Sequence, residues 1–132
     1  MKIPKLSTVK NKADKIFSEY IRRKNATSFG MCQCVSCGSW HAISECDAGH
    51  YISRNHMATR YDERNVHPQC RRCNRFQNGN MSGYSLYMLK HYGETILLEL
   101  NKLQHTVKKF QVEELQDMIK GWQKELKALR PK

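Results

Sequence analysis

Two cysteine pairs frame the part of this chain that could do chemistry: Cys34-Val35-Ser36-Cys37 and Cys70-Arg71-Arg72-Cys73. Thiolates in two such pairs suit one tetrahedral zinc. Between the pairs lie Asp47-Ala48-Gly49-His50 and Asn65-Val66-His67, and Asn74 directly follows the last cysteine. Hydrolysing a phosphodiester needs a base for water, a cation for the developing charge and positive donors for the phosphate. His50 suits the first task at neutral pH. Asp47 and Asn74 offer hard oxygens that suit magnesium or manganese, and a zinc held beside Asn74 would fix its position. Arg54, Arg60, Arg64, Arg71, Arg72 and Arg75 are candidates for clamping phosphate on DNA. Each residue alone has a blander reading, as a surface histidine, a helix asparagine or a solvated arginine. Their order along the chain is what carries the argument. Cys32 and Cys46 read as packed or free thiols.

The elements that must position these residues follow from periodicity. Ser7 or Thr8 is expected to cap a helix to about Lys24, whose apolar stripe of Val9, Ala13, Ile16, Phe17, Tyr20 and Ile21 packs on the zinc module and whose other face is basic. Cys34 to Gly38 reads as a zinc knuckle. Residues 39–52 read as a hairpin of two short strands, residues 53–64 as an arginine-bearing loop, and Cys70 to Asn78 as a short helix stopped by Gly79. Ser82 is expected to cap a helix ending before Gly93. A further helix would present Ile96, Leu100, Leu103 and Val107, and a last one, Val112 to Leu129, would end at Pro131. This gives a small α+β fold in three segments: a basic N-terminal helix (1–30), a zinc-bound core (31–80) and C-terminal helices (81–132), the last packed on the core or forming a homodimer interface.

The chain has 132 residues and a net charge of +11, with 8 basic and 2 acidic side chains in residues 1–30. A polyanion, nucleic acid above all, is the expected partner. No apolar run is long enough to span a membrane, and residues 1–6 do not read as a signal peptide. A cytoplasmic setting is expected, where paired cysteines bind metal rather than form disulfides.

The order of these motifs resembles the zinc-bound HNH, or ββα-metal, nucleases, which have a treble-clef-like core. Asp47-Ala48-Gly49-His50 is similar to their Asp-Arg-Gly-His signature, with Ala48 in place of arginine. Cys70-Arg71-Arg72-Cys73-Asn74 resembles the corresponding part of the junction-resolving endonuclease VII group. A closer resemblance, over roughly residues 31–100, is to the NinG (Rap) recombination proteins of lambdoid phages. It rests on Cys34 to Gly38, Asp47 to Tyr51, Asn65 to Cys70, Cys73-Asn74 and Gly79-Asn80. The resemblance implies a phage or prophage origin, phage recombination proteins as partners, and an endonuclease acting on Holliday junctions, D-loops and other branched intermediates. It makes His50 the general base and Asn74 the magnesium or manganese ligand, helped by Asp47 because Gly49 stands where many HNH enzymes carry a ligand. It makes Asn65 a structural brace, and His67 either support for the site or a substrate contact. Asn80 would touch phosphate or cap the next helix. The chain is expected to be shorter than a typical lambdoid member. Two other readings remain: a non-catalytic zinc finger that only binds nucleic acid, and an HNH nuclease of homing or restriction type that cuts linear duplex.

Overall fold

A computed structural model describes residues 3–129; Met1, Lys2 and the expected stop at Pro131 lie outside them. Helix α1, Leu6–Lys24, begins at least two residues earlier than expected. Lys5 holds the cap position with no side-chain cap bond, so Ser7 and Thr8 lie inside the first turn. The stripe of α1 is buried, but mainly against helix α5, Val112–Leu129, rather than against the zinc module. Val9, Ala13, Phe17 and Ile21 share one core with Leu115, Ile119, Trp122 and Leu126. Phe17 lies 4.9 Å from Trp122 and 5.6 Å from Tyr61, ring centre to ring centre. The α5 stripe is thus packed within the chain, apart from the exposed Leu129.

Residues 39–52 do not fold into a hairpin of their own. Strand β1, Met31–Gln33, pairs antiparallel with β2, Trp40–Ala42, and the knuckle between them is the hairpin turn. Gly38 N donates to Cys34 O and Cys34 N to Ser39 O, both at 2.8 Å, and Gly38 supplies the positive φ of 80° that the turn requires. A 3-10 turn, Ile43–Glu45, then redirects the chain into β3, Cys46–His50. The partner of β3 is β4, Val66–Cys70, antiparallel, in a stretch that carries no strand signal. Every residue of β4 is buried, including His67 and Gln69. The fold is therefore α+β with two small antiparallel sheets.

The connection from β3 to β4 holds one α-helical turn, α2, Met57–Arg60, and a 3-10 turn, Glu63–Asn65. After β4 the expected helix is only one widened π turn, Arg72–Phe76. Asn78, Gly79 and Asn80 all take positive φ, which reverses the chain into helix α3, Met81–Tyr92. Ser82 lies inside α3 rather than at its cap, and Gly93 ends it as expected. Helix α4, Glu94–Leu103, stops before Val107, which is exposed. The chain leaves the helix there to return Phe110 to the core, 5.4 Å from Tyr61. Helices α3 and α4 bury Tyr84, Met88 and Leu100 in a second cluster. Among the described residues, no helix is long and apolar enough to cross a membrane.

Candidate metal centre and cleft

Cys34 and Cys37 come from the knuckle, Cys70 from the end of β4 and Cys73 from the π turn. Their four sulfurs all lie within 4.8 Å of one another. A tetrahedron with metal–sulfur arms of about 2.3 Å has edges of about 3.8 Å, and Cys37 Sγ lies 3.8 Å from Cys70 Sγ. Three of the four cysteines are buried, which costs free energy for thiolates unless a cation balances them. Cys73 shows that cost, since burial pushes its thiol up to about 12. Cys37, at the solvent edge, has a thiol lowered to about 6: burial raises it, but bonds from the Ser39 side chain and backbone outweigh that. The Cys73 backbone N–H, at 3.5 Å from Cys70 Sγ, and Asn80 Nδ2, at 3.4 Å from Cys73 Sγ, are further donors to sulfur. Asn80 thus holds the cap position of α3, one of its two expected roles, but its side chain makes no cap bond and serves the cysteine cluster instead. The arrangement suits a structural zinc. Cys32 and Cys46 are buried and stand outside the four; the Cys32 thiol bonds the Arg22 carbonyl at 3.2 Å.

A cleft of about 610 Å³ opens beside this centre, lined by Asp14 and Ser18 of α1, Asp47 and His50 of β3, Arg54, and Asn74 and Arg75 of the π turn. His50 Nε2 lies 2.9 Å from the Arg60 carbonyl. A carbonyl only accepts, so Nε2 carries the proton and Nδ1 keeps the lone pair. Burial disfavours the charged ring and lowers the His50 pKa below its ordinary value, despite the carbonyl that favours it. Asp47 accepts from Asn74 Nδ2 at 3.0 Å and from Arg75 through two nitrogens at 2.8 Å each. Burial alone would raise the Asp47 pKa; Arg75 and Asn74 reverse this and hold the carboxyl below its usual range. Asp47 is thus ionised at neutral pH and faces a cation already. The amide of Asn74 bonds through nitrogen, which leaves Oδ1 as its acceptor.

Gly49 stands between these residues because nothing larger fits: a Cβ there would lie 1.7 Å from Gln69 Oε1. Gln69 is fully buried and donates to Ser36 Oγ at 2.8 Å and the Gly79 carbonyl at 2.7 Å, which ties β4 to the knuckle and to the turn after Asn74. Asn65, also fully buried, accepts from Ile52 N and donates to the carbonyls of Ile52 and Thr59. It braces the connection that carries Arg54 and Arg60. His67 is 3% exposed, which removes it from substrate contact. Tyr84 gives its one proton to the Gly49 carbonyl at 2.7 Å. His67 Nδ1 must then donate to Tyr84, at 2.9 Å, and Nε2 accept from Tyr92, at 2.7 Å. This chain of bonds ends on the residue preceding His50.

The six arginines separate by place. Arg54 and Arg75 line the cleft. Arg71 donates to the Ser44 carbonyl at 2.7 Å, and Arg72 is exposed beside Cys37. Arg60 and Arg64 do not line the cleft. Arg64 pairs with Asp62 and Glu99. Arg60, its side chain only 12% exposed, pairs with Asp14. Asp14 lines the cleft and is the charged residue there that the sequence reading missed. It also accepts from Tyr61 Oη at 2.8 Å and Arg54 at 3.2 Å, and so pins the segment whose carbonyl holds His50. The available signal was its sign, one of two acids in thirty strongly basic residues.

Comparison with known proteins places this chain in a family. Residues 1–132 match the family model described as the bacteriophage lambda NinG protein. The chain belongs to the NinG family. It is 35% identical over 98 residues to protein ninG of Escherichia phage 933W, 34% to that of Salmonella phage P22 and 33% to that of Escherichia phage lambda. Each match covers 74% of this chain and 47–48% of the relative, so the chain spans about half the length of the curated ninG proteins it matches. No solved structure matches.

Proposed function

We propose that this NinG-family chain is a metal-dependent endonuclease that cuts branched DNA such as Holliday junctions and D-loops. The observation that carries the reading is the pairing, in one cleft, of a histidine with its Nε2–H fixed on a backbone carbonyl and an ionised aspartate beside an asparagine amide. The resemblance of the motif order to the HNH nucleases supports the same reading, with β3 and β4 antiparallel and the turn that bears Asn74 after them.

His50 Nδ1 takes a proton from water as the water oxygen bonds to phosphorus and the bond from phosphorus to the 3′ oxygen breaks. A magnesium or manganese ion, held by Asp47 and the Asn74 Oδ1, would stabilise the charge on the phosphoryl and departing oxygens. The donors fit such an ion: both are hard oxygens, and Asp47 already balances a guanidinium. Arg54 and Arg75 at the cleft wall orient the backbone. The zinc takes no part in the chemistry; it fixes Cys70 and Cys73, and through them Asn74. Cutting two strands of a junction calls for two copies, and with the α5 stripe consumed by α1 they would meet elsewhere.

The deciding experiment compares wild type with His50→Ala on a labelled four-way junction and a linear duplex of the same sequence, in magnesium, manganese or EDTA. Metal-dependent cutting of the junction, lowered about 10²- to 10⁴-fold in the variant at equal zinc content, is expected. Equal cutting of both substrates would keep the nuclease and remove the preference for branches. Binding without cutting under any metal would leave a zinc module that only binds DNA.

A further inference from the structure

We propose that the lysine-lined groove along the seam of α1 and α5 is a second duplex-DNA surface, on the opposite flank of α1 from the cleft. Two adjoining depressions run along this seam and share Lys120 and Gln123. Lys12 of α1 and Lys120, Lys124 and Lys127 of α5 are their cations, all exposed. None of the four has a carboxylate within ion-pair distance among the described residues, and Glu19, the acid in the groove, is engaged by Arg23 at 3.0 Å. Lys120, Lys124 and Lys127 stand four and three residues apart on one helix face, where like charges repel and cost stability. A polyanion laid along the stripe turns that repulsion into attraction and releases counterions. Thr8 and Gln123 add neutral donors for phosphate oxygens.

The placement says which part of the DNA this is. At 3.6 residues per turn, the cleft-lining residues 14, 17 and 18 and the groove-lining residues 8, 12, 16 and 19 point about 160° apart around α1. A helix is about 10–12 Å across, and duplex DNA has a persistence length of about 50 nm. One duplex therefore cannot pass through the cleft and fold back into the groove. The groove is suited to a second duplex, which a branched substrate supplies as another arm. The cleft half of this inference rests on the nuclease reading; the groove half does not.

The test is binding in EDTA, where no cutting occurs, to a four-way junction and to a short linear duplex across a salt series. It uses the full chain with Lys120→Glu, Lys124→Glu and Lys127→Glu combined, and separately Lys12→Glu from the other wall; circular dichroism checks that each folds. A junction that engages both surfaces at once loses the whole second contact. Its affinity is expected to fall at least about ten-fold in the triple variant, with the salt slope reduced by about 2–3 and a smaller loss for Lys12→Glu. A duplex that loses one of two like sites should lose about two-fold. Equal losses for junction and duplex overturn the two-surface arrangement. No loss for either overturns the groove as a DNA surface and leaves it solvated or a seat for an acidic protein. A junction-specific loss in a chain that never cuts would sustain the groove while refuting the nuclease.

Discussion

Asp14 gathers four hydrogen bonds, from Arg54, from two nitrogens of Arg60 and from the Tyr61 hydroxyl. It touches none of the reacting atoms in the proposed chemistry. Its effect passes through the Arg60 backbone to His50, which makes it a positioning residue. Asp14→Asn keeps the shape but weakens the charge-assisted bonds. About a ten-fold fall in cleavage, or ~1.4 kcal/mol, is expected at unchanged zinc content and junction affinity, with a displaced acid limb in the pH–rate profile. Wild-type rates and profile would show that the carbonyl needs no such anchor. His67 gives a second test. Burial lowers its pKa to about 4, against about 6.5 for an unfolded histidine. The unfolded chain binds the extra proton between these values, so the contribution is complete above pH 6.5 and is lost as pH falls toward 4. The shift is equivalent to about 3 kcal/mol. The stability advantage of wild type over His67→Gln, measured by denaturant melts, should therefore shrink from pH 7 to pH 4. A gap that does not change with pH would mean that this ring stays neutral in both states.

Helix α3 is an element that its end signals detect but cannot place. Gly83 lies against the zinc knuckle so closely that a Cβ would stand 2.1 Å from the Ser36 carbonyl oxygen. Exposed on an isolated helix, Gly→Ala would stabilise by up to about 1 kcal/mol. Here the backbone of the knuckle or of α3 must shift, and Gly83→Ala is expected to cost about 1–3 kcal/mol. The same shift disturbs Tyr84, which holds the Gly49 carbonyl. A lower melting temperature and faster loss of zinc to a chelator are the expected readouts. A raised melting temperature would contradict the close packing.

At the scale of the molecule, the cysteine centre and the α1–α5 core are separate clusters joined through β3 and β4. Cys70→Ser should release zinc and abolish cleavage, since Asn74 is carried by the turn that the cysteines anchor. Most of the helical circular-dichroism signal should survive, because the aromatic core of Phe17, Tyr61 and Trp122 owes nothing to the metal. Complete melting would show that zinc carries the whole fold. What the sequence by itself determined was local. The cysteine spacing placed four sulfurs together, helical periodicity found α1, α4 and α5, and Gly93 marked the end of α3, because thiolate chemistry, a 3.6-residue repeat and positive φ each leave a mark within a few residues. Tertiary structure decided everything that depends on a distant partner. Strand β4 carries no strand signal because His67, Pro68 and Gln69 are not strand-like side chains; Tyr84 and Tyr92 bond the buried His67 ring, and Ser36 and Gly79 accept from the buried Gln69 amide nitrogen. Asp14 looked like one more solvated charge on a basic helix. It became part of the site when α1, held by α5, brought it against Arg60, a contact that burial and ion pairing create between residues 46 positions apart.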